Sequence, residues 1–216
     1  MDREDSPSEL LADLWMHRLG VAAGLVAAVT LVGLAVALGA TPAVVAVVIY
    51  AVALMAMLCC SAFYHLTPPS PRKALARRFD HAAIFLLIAG TYTPFTLGRL
   101  GGAWGYGLVG VVWAVALAGM AIKLFMPGRF ERLSIVVYLA LGWIGVVAFR
   151  PMQDVLGPAP LILIGIGGVF YSVGVIFHVW RSLKFQNAIW HGFVLAGAGC
   201  HYAAVLSGVV LVGAAN

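Results

Sequence analysis

Acidic side chains are scarce in this sequence. Eight Asp and Glu occur in 216 residues, and five of them, Asp2, Glu4, Asp5, Glu9 and Asp13, lie at the very start. Charged residues of both signs make up 10% of the chain, against about 25% in soluble globular domains. So little charge cannot clothe a water-soluble surface, and a soluble helical domain is excluded. Cysteine is rare too. Cys59, Cys60 and Cys200 each sit in an apolar run, with no CxxC pair and no Cys/His cluster, so neither a disulfide framework nor a thiolate metal site is expected. They read as small buried apolar side chains. The first seventeen residues, MDREDSPSELLADLWMH, lack the basic start and small-residue cleavage site of a secretory signal. Residues 1–19 read as a short solvated tail that leads into an amphipathic turn, SELLADLWMHRLG.

Uncharged apolar sequence is what the chain has in abundance: 63% of residues are hydrophobic and the mean hydropathy is +1.02. Several runs exceed the roughly 18–20 residues that cross a bilayer. The pattern predicts an all-α fold, a polytopic bundle of seven transmembrane helices forming one domain over residues 20–212. The spans are expected near 20–38, 43–65, 80–97, 104–125, 133–149, 159–181 and 188–212. Glycine and proline set most of the boundaries: Gly39 and Pro42, the run from Gly98 to Gly102, Met126-Pro127-Gly128, and Arg150-Pro151. The connections are too short to hold a soluble domain.

The basic residues orient the bundle. With seven spans, the N-terminus and the connections after helices two, four and six share one side. Arg3, Arg18, Arg72, Lys73, Arg77, Arg78, Lys123, Arg129, Arg132, Arg181 and Lys184 fall there, and only Arg99 and Arg150 fall on the other. The positive-inside rule then puts the N-terminus in the cytoplasm and the C-terminus outside. The formal net charge of +5 reflects topology and contact with anionic lipid; it gives no reason to expect nucleic acid. The expected partners are membrane lipids. Gly165, Gly167 and Gly168 permit close helix packing without revealing a second subunit.

Folding the line this way gathers polar groups at the cytoplasmic face. Ser61 and His65 end helix two, Asp80 and His81 open helix three, His178 ends helix six, and Asn187 and His191 open helix seven. His17 and His178 read as wet interfacial caps, and His81 points away from its neighbour Asp80. His201 lies deeper and reads as a buried, hydrogen-bonded histidine. Ser61-x-x-x-His65 and Asn187-x-x-x-His191 are different, because a spacing of four puts each pair on one helix face. Polar groups are costly against lipid, so both pairs should face the bundle interior. Histidine, carboxylate and water are the usual ligands of a catalytic zinc, and an aspartate beside that water can act as general base.

The stretches SAFYHLTP, RRFDHAAIFLLIAGTYTPF, LALGWIG, GGVFYSVGVIF and NAIWHGFVLAGAGCHY resemble the haemolysin III proteins. That family is the bacterial branch of a group including the adiponectin and progestin receptors, with a more distant similarity to the alkaline ceramidases. The resemblance implies a seven-helix bundle in a bacterial inner (cell) membrane, with a cytoplasmic N-terminus and a zinc site near that face. It implies that His65 and His191 are metal ligands, that Asp80 holds the metal-bound water, and that Ser61 lies close by. Asn187 stands where the family has the first histidine of helix seven. A neutral amide is a poorer zinc donor than imidazole. The residues placed to make up the loss are Asp80 as a direct ligand, or His81 or His178 swung inward. His201 is roughly 15 Å along the helix from His191, too far to share its metal.

Two functions from different classes follow. One is an intramembrane hydrolase of lipid amide or ester bonds, with zinc as cofactor, Asp80 and Ser61 as catalytic groups, and His65, His191 and Asn187 as the metal set. The other is a non-catalytic receptor-like or membrane-perturbing protein of the haemolysin type. The apolar spans lack charges at mid-depth, which weighs against transport. A resident seven-span protein without an amphipathic β-hairpin is also a poor candidate for a secreted toxin.

Overall fold

The computed structural model describes residues 6–38 and 41–212; Arg3 of the charge count and the expected stop at Gly39 lie outside them. Among the described residues the fold is all helical, with seven helices long and apolar enough to cross a membrane. We number them α1 Pro7–Ala37, α2 Thr41–Leu66, α3 Pro71–Leu100, α4 Gly102–Phe125, α5 Glu131–Val155, α6 Pro158–Val179 and α7 Gln186–Val210. α1 packs between α2 and α7, α2 against α3, α3 against α4, and α6 against α7, while α5 has the thinnest contacts. The core lies where α2, α3 and α7 meet their neighbours, around Leu31, Val47, Tyr50, Phe85, Val112 and Val205. Val26, Val29, Val52, Val147 and Ile162 stay exposed, as side chains facing lipid should.

Helix α1 begins at Pro7, well before the expected start near residue 20. Ser6, Pro7 and Glu9 make a helix start of their own. Proline suits the first helical position, and Glu9 reaches back to the Ser6 backbone N–H at 2.9 Å and takes the Ser6 hydroxyl at 2.7 Å. This is a capping box. Hydropathy marked where the apolar run begins, not where the helix does. With 31 residues, the helix is about 46 Å long, against about 30 Å of hydrocarbon. Its first turns therefore have length to spare beyond the hydrocarbon.

The basic stretch Arg72–Arg78, expected as a loop, is also helical. Ser70 caps α3 by accepting from the Lys73 backbone N–H at 3.2 Å, and Pro71 takes the first turn. Lys73 Nζ in turn donates to the Thr67 carbonyl at 2.8 Å, covering an open carbonyl past the end of α2. Helix α5 does not stop at Arg150-Pro151 but runs to Val155 after a 3-10 segment, Ile144–Ala148. Pro151 is tolerated because it lies in the first turn of the helical piece that follows. At the break, the Tyr92 hydroxyl donates to the Gly142 carbonyl at 2.7 Å and accepts from the Gly145 N–H at 3.0 Å. Backbone groups that a membrane cannot hydrate are thereby satisfied by α3.

Candidate metal centre

The buried residues of α1 are Glu9, Asp13, His17, Gly20, Gly24, Ala28, Leu31 and Ala35. Steps of three and four make this one stripe of the helix, polar in its first turns and small or apolar beyond. The same stripe lets α1 lie close to its neighbours. A Cβ at Gly20 would come 2.9 Å from Leu195, and one at Gly24 would strike Leu58. Close approach on both sides brings the polar end of the stripe against the end of α2 and the start of α7.

There Asp13, His17, His65 and His191 converge, each offering a ligand atom within 4.8 Å of the others. Asp13 Oδ1 lies 2.7 Å from His191 Nδ1, and Asp13 Oδ2 lies 3.1 Å from His65 Nδ1 and 3.6 Å from His17 Nε2. The three imidazoles cluster with centroids 4.3 to 4.9 Å apart, His65 edge-on to His191 and His17 tilted against both. Asp13, His17 and His191 are buried and His65 is nearly so.

This set fits a metal ion. Four N/O ligands at 2.0–2.1 Å in a tetrahedron are about 3.3 Å apart, and the three distances around Asp13 bracket that edge. The donors are the imidazoles and carboxylate that zinc accepts. His17 Nε2 is buried without a hydrogen-bond partner, since 3.6 Å is too long for one. A buried, unsatisfied ring nitrogen aimed into a cluster of donors is what a preformed ligand looks like.

Beside the group, the buried Asp80 carboxylate lies near the Ser61 hydroxyl and within electrostatic reach of His65 and His17. A cavity of ≈ 20 Å³ lies between α1, α2 and α7. Ser61, His17 and His191 line it together with Gly20, Met57 and Leu58. That is room for one water with polar partners on its wall.

The structure thus brings His65 and His191 together, with Ser61 and Asp80 adjoining. Asn187 lies one turn before His191, half-buried in the first turn of α7. His81 turns instead toward Glu131, with its Nδ1 3.5 Å from Oε2, and its carbonyl accepts from the Tyr138 hydroxyl at 2.8 Å. His178 packs on the Trp190 ring at 4.9 Å. Neither belongs to the group. His201, half-buried, has its Nε2 3.2 Å from the Ile164 carbonyl beside Tyr171, which gives it the hydrogen-bonded role expected for it but less burial.

Asp13 and His17 are the residues that the sequence reading did not bring to the site, Asp13 as part of the tail and His17 as an interfacial cap. Two signals were available. The Ser-x-x-Glu capping box from Ser6 to Glu9 announced a helix, and Glu9, Asp13 and His17 repeat at intervals of four along it.

Residues 8–202 match the haemolysin-III related family. The chain is 38% identical over 198 residues to a hemolysin-3 homolog of Bacillus subtilis (strain 168), covering 92% of this chain and 93% of that protein. It is 37% identical over 198 residues to hemolysin-3 of Bacillus cereus, covering 92% and 90%. A more distant similarity, 26% over 165 residues, links it to the human monocyte to macrophage differentiation factor, covering 73% of this chain and 67% of that one. No solved structure matches. Seven spanning helices and bacterial relatives of nearly the same extent place the protein in the bacterial cell membrane. The chain belongs to the haemolysin III-related family.

Proposed function

We propose that this protein is a metal-dependent hydrolase of lipid amide or ester bonds, with zinc held by Asp13, His17, His65 and His191 at the cytoplasmic side of the membrane. The observation that carries this reading is the buried three-histidine, one-carboxylate group standing beside the Ser61–Asp80 pair and a cavity with room for one water. A zinc ion bound there supplies Lewis acidity and makes a nearby water a stronger acid. Asp80, near Ser61, takes the proton that this water gives up. Ser61, on the cavity wall, donates to the oxygen that gains charge as the acyl carbon is attacked. The carboxylate of Asp13 offsets part of the ion's charge. With Asp13 and His17 supplied by α1, the amide of Asn187 is not needed as a ligand.

A second reading rests on the ligand count. Four protein groups are the number found in closed, structural zinc sites, whereas catalytic sites commonly keep one position open. On that reading the metal ties α1, α2 and α7 together in a non-catalytic, receptor-like or membrane-perturbing protein, the latter in keeping with the hemolysin names of its relatives.

One experiment separates the two: metal analysis of the purified protein together with fatty-acid release from a panel of lipid amides and esters. Release that Asp80→Ala abolishes while the metal stays bound supports the hydrolase. A metal-loaded protein that releases nothing supports the second reading. Asn187→His should leave the metal content of the wild type unchanged; a variant that binds zinc where the wild type does not would overturn the proposed ligand set.

A further inference from the structure

Glu9 lies on the same stripe of α1 as Asp13 and His17, one turn ahead of Asp13, and is only 5% exposed. Burying a carboxylate requires donors around it. One oxygen takes both the backbone N–H and the hydroxyl of Ser6. The other, Oε1, accepts from the backbone N–H of Phe185 at 2.7 Å, across 176 residues of sequence.

Phe185 is the residue on which α7 starts, and its φ is 59°. A bulky side chain enters the left-handed region only where its surroundings hold it there. Phe185 also lies outside the helical ladder of α7, so its N–H needs an acceptor from elsewhere, and Glu9 provides it. Glu9 and Asp13 are one turn apart on α1, and Phe185 and His191 are six residues apart on α7. The two helices are therefore pinned twice at one end, by Glu9 to Phe185 and by Asp13 to His191.

We propose that Glu9 is a positioning residue of the metal centre: by holding the Phe185 backbone it sets the start of α7 against α1, so that His191 is presented to the ion beside Asp13 and His17. This rests on the reading that Asp13, His17, His65 and His191 form the metal site. Glu9 itself stands outside that ligand group and acts through α7.

The test uses the full-length protein purified in detergent, with zinc affinity measured by chelator competition and the visible spectrum recorded after loading with cobalt(II). Glu9→Leu is compared with Leu31→Ala, which empties a fully buried position of the same helix far from the site and serves as a control for lost stability. Glu9→Asp keeps the charge but shortens the reach, and serves if Glu9→Leu does not fold. Zinc affinity is expected to fall at least about tenfold in Glu9→Leu and at least about threefold in Glu9→Asp. The intense bands of four-coordinate cobalt should weaken with it. Leu31→Ala should lower the thermal midpoint yet keep both affinity and spectrum. Glu9 variants that bind like the wild type, or that lose affinity only in proportion to stability as Leu31→Ala does, overturn the proposal. A wild-type protein that takes up neither ion overturns the metal reading itself, and with it the role of Glu9; the wild-type arm alone reports that outcome.

Discussion

Asp13 and His191, separated by 178 residues, meet at 2.7 Å in the buried interior of the bundle. Each reaches the other only because α1 is helical from Pro7 and because glycines on its buried stripe let it lie against α7. The contact makes the start of the chain a wall of the candidate metal centre.

Asp13→Ala should weaken zinc binding by at least about tenfold. It also strips the carboxylate from His65 and His191, at a cost of about 1–3 kcal/mol for buried donors left without an acceptor. Chelator competition reads the first effect, and thermal unfolding in excess chelator reads the second. Because bound metal stabilises the folded state, adding zinc should raise the thermal midpoint of the wild type more than that of Asp13→Ala.

The histidines should divide cleanly. His17→Ala is expected to lower zinc affinity by about 10- to 100-fold or more, as are His65→Ala and His191→Ala. His81→Ala and His178→Ala should bind zinc like the wild type, because those rings face Glu131 and Trp190. Zinc binding that survives His17→Ala and fails in His178→Ala would reverse this assignment.

Glu131 joins three helices away from the metal centre. Its oxygens lie 3.4 Å from Arg77, 3.4 Å from Lys123 and 3.5 Å from His81. Lys123 is almost fully buried, so Glu131→Gln leaves a buried ammonium without its counter-charge and should cost about 1–3 kcal/mol. Adding Lys123→Met should recover much of that loss. Thermal unfolding of the two single variants and the double variant closes the cycle, and strictly additive losses would refute the coupling.

Two glycines of α4 should respond in opposite ways to alanine. A Cβ at Gly105 runs into the Thr96 carbonyl, which is backbone and cannot step aside, whereas Gly107 faces open space. Gly105→Ala should destabilise by about 1–3 kcal/mol. Gly107→Ala should be neutral or gain up to about 1 kcal/mol from helix propensity. Thermal unfolding in detergent distinguishes the two.

The orientation implied by the basic residues is open to a direct check. An alkaline phosphatase fused to the C-terminus should be active and a green fluorescent protein fused there should be dark, because the last helix is expected to end outside. The reverse pattern would move the metal centre to the outer face.

Much of the architecture was written in one-dimensional terms. Apolar runs of spanning length specify seven helices, because a bilayer leaves a backbone few other ways to satisfy its hydrogen bonds. The charge count depends only on which connections carry Arg and Lys, so it predicts an orientation without coordinates. His65 and His191 stood out because spacing of four puts each with a polar neighbour on one helix face. Asp13 and His17 did not, although the capping box at Ser6 and the repeat through Glu9, Asp13 and His17 were in the sequence. Hydropathy weighs them as polar tail, and only a helix that outruns the apolar segment carries them inward.

What the sequence determined by itself is therefore the membrane, the seven spans and the inward-facing pairs that hold His65 and His191, all consequences of local composition and period. The tertiary structure decided which polar groups share a site. It turned His81 toward Glu131 and His178 toward Trp190, and it brought Asp13 and His17 of α1 against His191. Those choices depend on how closely helices pack and how they are rotated about their axes. Small residues such as Gly20 and Gly24 set them through contacts with side chains far away in the sequence, and no local pattern encodes such contacts.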